Sequence, residues 1–203
     1  MNNSKSILTI GHSNHPFERF LELLVQHGVE AVADVRSSPY SRFNPQYNQE
    51  ELKRQLTANS IAYVFLGKEL GARRNEPECY VDGKVIYDKV AKSAVFQSGI
   101  ERLIHGAGKY KIAMMCSEKD PLTCHRTILI ARQLASAFKN INHILEDGSI
   151  ETNQEAESRL LRECKLQNQD FLITDVERLG LAYQRRGDQI AYQEESNEKE
   201  TNG

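Results

Sequence analysis

At 203 residues the chain is long enough for one core of ordinary size, and its 39% hydrophobic content fits a globular domain rather than a disordered or fibrous one. A net charge of −2 excludes a globally basic nucleic-acid binder but leaves room for a local basic patch. No apolar run approaches the roughly 20 residues that cross a bilayer, the first residues carry no secretory apolar region, and four cysteines do not suggest a disulfide framework; the expectation is a cytoplasmic protein with reduced thiols and no membrane partner.

Ile7 to Ile10, ended by Gly11, reads as a first buried strand. Pro16 suits the opening of a helix that buries Phe17, Phe20, Leu21 and Leu24 and is stopped by Gly28. Ala31 to Val35 gives the second strand, and Tyr40 to Tyr47 a loop. Asn48 with Glu51 has the spacing of a cap and its reciprocal partner, opening a helix over Leu52 and Leu56. Ile61 to Phe65 is the third strand, followed by an irregular stretch from Gly67 to Gly83. Helical spacing returns at Tyr87, Val90, Ala91 and Ala94, and again at Ile100, Leu103 and Ile104. Lys111 to Met115 is the fourth strand; Asp120 and Pro121 are placed to cap and open the next helix. Ile141 to Leu145 is the fifth strand, and a helix runs from about Gln154 to Cys164.

Strands alternating with helices predict an α/β fold, a mainly parallel sheet of about five strands with helices on both faces in a single domain. The domain is expected over 1–165, with a partly helical extension over 166–193 and a polar, disordered tail over 194–203.

Ligands of open parallel sheets sit beyond the carboxyl ends of the strands. That rule gathers His12, Ser13 and Asn14 after strand one, Asp34, Arg36 and Ser37 after strand two, Cys116 and Glu118 after strand four, and Asp147 after strand five. Cys116, at a strand end before a helix N-terminus and near Arg126, is placed as thiolate nucleophiles often are. Its simplest alternative is a small buried thiol. Arg36, Arg42 and Arg126, with the Ser13, Ser37 and Ser41 hydroxyls, would suit an anion; each arginine could equally pair with a carboxylate such as Asp34 or Glu118. Cys116, Cys124, His125 and His12 are of types that suit zinc or iron. No metal ligand is assigned, because adjacent residues on a helix point about 100° apart and Cys124 and His125 would then diverge. Arg73 and Arg74 read as solvated surface, and His143 as a satisfied core histidine.

These residues resemble a known family. Thr9-Ile10-Gly11-His12-Ser13-Asn14 and the run from Asp34 to Arg42, then Tyr63, Leu70-Gly71, Cys116-Ser117-Glu118, Cys124-His125-Arg126, His143-Ile144 and Asp147-Gly148, are similar to the family numbered 488 among the domains of unknown function. The resemblance covers about residues 7 to 150. It implies a compact bacterial or archaeal α/β domain and no particular activity, and it adds Tyr63 and His143 to the residues selected above.

The expectation is an enzyme acting on a phosphate-bearing substrate, a nucleotide or nucleic acid. Cys116, His12, Asp34 and Glu118 would carry the chemistry. Asn14, Arg36, Ser37, Arg42, Tyr63, Cys124, His125 and Arg126 would bind the substrate. A non-catalytic module binding nucleic acid or protein, and a metal-dependent enzyme using the Cys/His cluster, are the alternatives. The cofactor and the oligomeric state are left open.

Overall fold

The computed structural model describes residues 6–167 and 173–194. Its centre is a six-stranded sheet built from β1 (Ser6–Gly11), β2 (Ala31–Asp34), β3 (Ala62–Phe65), β6 (Ile112–Cys116), β7 (Asn140–Ile144) and β8 (Ile150–Thr152). The order is β3-β2-β6-β1-β7-β8. All neighbours are parallel except the last pair, where β8 turns back antiparallel on β7. The five expected strands are all present; β8 was not foreseen, being short and polar at Glu151 and Thr152.

The pleat divides the core between two faces. Leu8, Ile10, Val32, Ala113, Met115 and Ile144 face helices α1 (Phe17–Gln26) and α2 (Gln49–Ala58), whose buried residues are Phe17, Phe20, Leu23, Leu24, Leu52 and Leu56. Ile7, Ala33, Val35, Ile112, Met114 and Cys116 face the other way. There they meet α3 (Gly67–Leu70), α4 (Tyr87–Val90), α5 (Ala94–Gly106), the helical stretch of Arg126–Ala131 and α6 (Arg132–Leu134), α7 (Asn153–Glu163) and α8 (Asp175–Ile190). Layered burial on both faces is what allows every residue of β6 to be buried.

Local chemistry explains several boundaries. Three helices end in the same way, with a residue in the left-handed region and paired backbone bonds back into the last turn. After α1 this is Gly28 (φ 61°); after α2 and α7 it is Ser60 (φ 62°) and Lys165 (φ 56°). Thr152 and Thr174 each cap a helix through a reciprocal bond with Glu155 and Glu177. Asn48 stands at the cap position of α2, but its Oδ1 accepts from the Ser41 amide and makes no helix cap. The loop from Tyr40 to Tyr47 needs that acceptor more.

The stretch from Gly67 to Gly83 contains α3, a 3₁₀ turn over Pro77–Cys79 and one strand of the two-residue pair β4 (Tyr80–Val81) and β5 (Lys84–Val85). Arg74 holds it in place. Expected at the surface, Arg74 is buried, donating to the Glu69 and Gly71 carbonyls and pairing with Glu76. In the extension, α8 buries Ala182 and Tyr183 in the same core as the sheet. Of the tail expected at 194–203, Glu194 bonds to the Gly83 carbonyl, and 195–203 lie outside the described residues. Among the described residues no helix is long and apolar enough to cross a membrane.

Candidate active site

The carboxyl ends of β1, β2 and β6 lie side by side, and the ladder continues past them. The His12 amide donates to the Cys116 carbonyl and the Ser13 amide to that of Ser117 (both 2.9 Å), while the Val35 amide reaches the Met115 carbonyl. Gly11 is required here, because a Cβ at that position would overlap the backbone of Glu118 and Lys119. The polar segments expected at one edge are thus at one edge. The pleat, however, separates them into two clusters on opposite faces.

On the α1–α2 side, Asp34 and Arg36 form a buried two-point pair, with Arg36 Nε and Nη2 2.9 and 2.6 Å from the carboxylate oxygens. The Arg36 amide and the Tyr63 hydroxyl donate to the same carboxylate. Arg36 also donates to the Tyr47 carbonyl and, from Nη1 at 3.3 Å, to His12 Nε2. His12 Nδ1–H donates to the Ser13 carbonyl at 2.7 Å, and the ring stacks on Tyr47 with centroids 4.0 Å apart. Burial first, then the Arg36 charge, pushes the His12 pKa down to about 4, so the ring is neutral at pH 7. Hydrogen bonding to Asp34 more than offsets the burial of Arg36 and raises its pKa. Every member has its partners: Arg36 is spent on protein acceptors, and Asp34 orients it. Tyr47, which sequence reasoning left unselected, is the floor of this cluster. The register that pairs Gly11 with Cys116 puts Cys116 on the face opposite residues 8, 10 and 12, and that register is not legible in the sequence.

On the opposite face, Cys116 Sγ lies 3.0 Å from Glu118 Oε2 and 3.7 Å from His125 Nδ1. Cys124 Sγ is 3.8 Å from the same nitrogen. The two sulfurs and the nitrogen all lie within 4.8 Å of one another. His125 Nε2–H donates to the Val35 carbonyl at 3.0 Å, which leaves Nδ1 facing the sulfurs. The expected divergence of Cys124 and His125 fails for a plain reason. Asp120 does cap, but it opens only a 3₁₀ turn over Pro121–Thr123. Cys124 is extended (φ −131°, ψ 141°), and the longer helical stretch begins after it. That stretch, Arg126–Ala131, is π-helical and wholly buried, a form that concentrates at functional sites.

The electrostatics reverse the expectation for Cys116. Its hydrogen bond to Cys124, then burial and the Glu118 carboxylate, push the Cys116 thiol well up. Burial also opposes ionising Cys124, yet the bond from Cys116 and the charge of Arg126 hold that thiol well below its ordinary value. The Arg126 amide adds a donor to Cys124 Sγ at 3.4 Å. Of the two thiols Cys124 is the one favoured to ionise, and it stands just before the helical stretch begins. Burial and the Cys124 charge raise the Glu118 carboxyl, and the Cys124 charge more than offsets burial at His125 and raises it.

The remaining selected residues lie apart from these two groups of side chains or complete their walls. Arg126 is fully buried, its guanidinium donating to the Glu118 and Lys119 carbonyls while Nε finds no partner among the described residues. Ser37 Oγ accepts from the Arg73 amide, and Ser41 Oγ from the Phe43 and Asn44 amides. Asn14 and Arg42 are exposed. Arg36, Arg42 and Arg126 thus form no shared clamp: two are committed inward and one faces solvent. Asp147 folds its own turn through Ser149. His143 is a core histidine, donating from Nε2 to Asn153 Oδ1 and accepting at Nδ1 from Thr9 Oγ1. A cavity of about 600 Å³ lies between β3 and α5, but its walls are mainly apolar and Tyr63 is the one selected residue lining it.

A family model described as "Domain of unknown function DUF488" matches residues 16–133, more than half of the chain. No curated protein and no solved structure matches.

Proposed function

The chain belongs to the DUF488 family of domains of unknown function; from that premise, which carries no reaction, we propose on the site itself that the protein is an enzyme acting on a phosphate-bearing substrate, a nucleotide or a nucleic-acid strand. One observation carries the catalytic part. Cys116, Cys124 and His125 are buried together with the Glu118 carboxylate against them, at the strand ends where α/β enzymes work. Burying interacting ionisable groups costs stability and returns little packing, so such a cluster is best explained by chemistry. Glu118, the one exposed residue of the four, is assigned the acid–base role, because its carboxylate lies against Cys116 Sγ while open to solvent.

The substrate class is supported by the loop over 37–44, which leaves β2 at this edge. Tyr40 and Phe43 are 69% and 90% exposed on it, with exposed Arg42 between them. Rings that can stack a base beside a guanidinium that can hold a phosphate are the common means of gripping single-stranded nucleic acid and nucleotides. The loop is pinned by Ser37, Ser41 and Asn48, so its aromatics are held out rather than free to fold in.

The test is a thermal-shift and binding series with phosphate, mononucleotides and short oligonucleotides on wild type, Phe43→Ala and Arg42→Ala, followed by product analysis on Glu118→Gln. Stabilisation by nucleotides, weakened by about 1–3 kcal/mol in Phe43→Ala, is expected. Turnover abolished in Glu118→Gln with binding retained marks an enzyme. Salt-sensitive binding without turnover in wild type marks a non-catalytic module. No response to any ligand would sink the phosphate reading.

A further inference from the structure

We propose that Cys116, Cys124 and His125 form a zinc-binding site with an open fourth position beside Glu118. This deepens the enzyme reading above and rests on it for its purpose, though not for its geometry. Zinc holds sulfur at about 2.3 Å and imidazole nitrogen at about 2.0–2.1 Å, so on a tetrahedral ion a sulfur and a nitrogen stand about 3.6 Å apart. The two sulfur–nitrogen separations here are 3.7 and 3.8 Å, each close to a tetrahedron edge before any ion has drawn the ligands in. The sulfurs belong to the same compact group, with all three ligand atoms within 4.8 Å of one another.

The surroundings are those a bound ion needs. His125 is turned by its Nε2–H bond to the Val35 carbonyl so that the lone pair of Nδ1 enters the group, the usual way a metal-binding imidazole is fixed. The Arg126 amide points at Cys124 Sγ and can steady a thiolate there. Two thiolates and an imidazole select zinc over the hard cations magnesium and calcium. Three protein ligands, rather than four, match catalytic sites, which keep a position for water. Glu118 Oε2, 3.0 Å from Cys116 Sγ, is placed to accept a proton from a water in that position. The extended backbone of Cys124 makes the site possible, since it lets neighbouring residues converge where a helix would splay them.

The experiment is elemental analysis of the full chain purified without metal-binding tags or chelators, with wild type compared to Cys124→Ser, His125→Gln and the control Cys79→Ser. About one zinc per chain is expected in wild type and the control, with at least a tenfold loss in the two ligand variants. Because those variants could fail to fold, a second arm uses unaltered protein. After chelation, cobalt is added and the thiolate-to-cobalt absorption of a tetrahedral site is followed, then displaced by zinc. A protein free of transition metal that also gives no cobalt spectrum overturns the proposal, as does zinc retained in both folded ligand variants. An equivalent of iron in place of zinc overturns the assignment of the ion. Metal absent while nucleotides still stabilise the protein removes the zinc site alone. Metal bound with no nucleotide response removes the phosphate reading and leaves the site.

Discussion

The Asp34–Arg36 pair offers the sharpest test of how this edge is held together. Asp34 is 0% and Arg36 5% exposed, and the carboxylate accepts four hydrogen bonds, from Arg36 N, Nε and Nη2 and from the Tyr63 hydroxyl. Asp34→Ala would leave a guanidinium buried without its counter-charge, and Arg36→Met would leave a buried carboxylate. Breaking a buried pair on one side costs about 3–5 kcal/mol. For a chain of this size that corresponds to a fall in Tm of roughly 6–20 °C. Replacing both partners removes the orphaned charge, so the double variant should cost less than the sum of the singles by about 1–3 kcal/mol. Urea denaturation of the four proteins in a double-mutant cycle measures the difference directly. Because the pair is shielded from solvent, added salt should change that coupling little. Single variants costing under about 1 kcal/mol, or a double variant additive within about 0.5 kcal/mol, would refute the account of Asp34 and Arg36 as a mutually dependent pair.

Two further outcomes follow from the same structure. Burial and the Arg126 charge push the His143 pKa down to about 4, whereas in the unfolded chain an imidazole protonates near 6.5. The unfolded state therefore binds more protons between these values, and stability present above pH 6.5 is lost as pH falls towards 4, by up to roughly 3 kcal/mol for this group; His12 acts in the same direction. A His143→Gln variant should flatten that part of the stability–pH curve, and an unchanged slope would count against it. Ser60→Gly and Lys165→Gly, at φ of 62° and 56° after α2 and α7, should each stabilise by about 1 kcal/mol in denaturant titrations; a loss of stability in both would show the left-handed positions to be unstrained.

The strands were legible because their apolar runs are bounded by glycine and polar residues, and Asp34, Arg36, Cys116 and Glu118 were found because they end those runs. What the sequence concealed was of two kinds. Packing decisions between distant segments were hidden: Arg74 is buried only because Glu69, Gly71 and Glu76 fold around it. Local conformational choices were hidden as well. Nothing in the sequence tells that the Asp120–Pro121 signal opens one 3₁₀ turn, leaving Cys124 extended and moving the helical start beyond it. That choice lets Cys124 and His125 converge beside Cys116 instead of diverging. For the arginines the sequence left two outcomes open, since a guanidinium that could hold an anion satisfies itself equally well on Asp34, as Arg36 does, or on backbone carbonyls, as Arg126 does.

The outer strand β3 has a consequence for handling the protein. Among the described residues no other strand bonds to its free side, Ala62 is exposed, and the apolar cavity runs beside it under α5. Open backbone groups next to an apolar hollow form a template onto which another chain can add a strand, and a length of four residues is what restrains it. Any loosening of α5 on heating would uncover template and hollow together. Loss of soluble material should then begin at this margin and set an irreversible, concentration-dependent limit, so that a half-life at fixed temperature describes the durability of the chain better than a midpoint does.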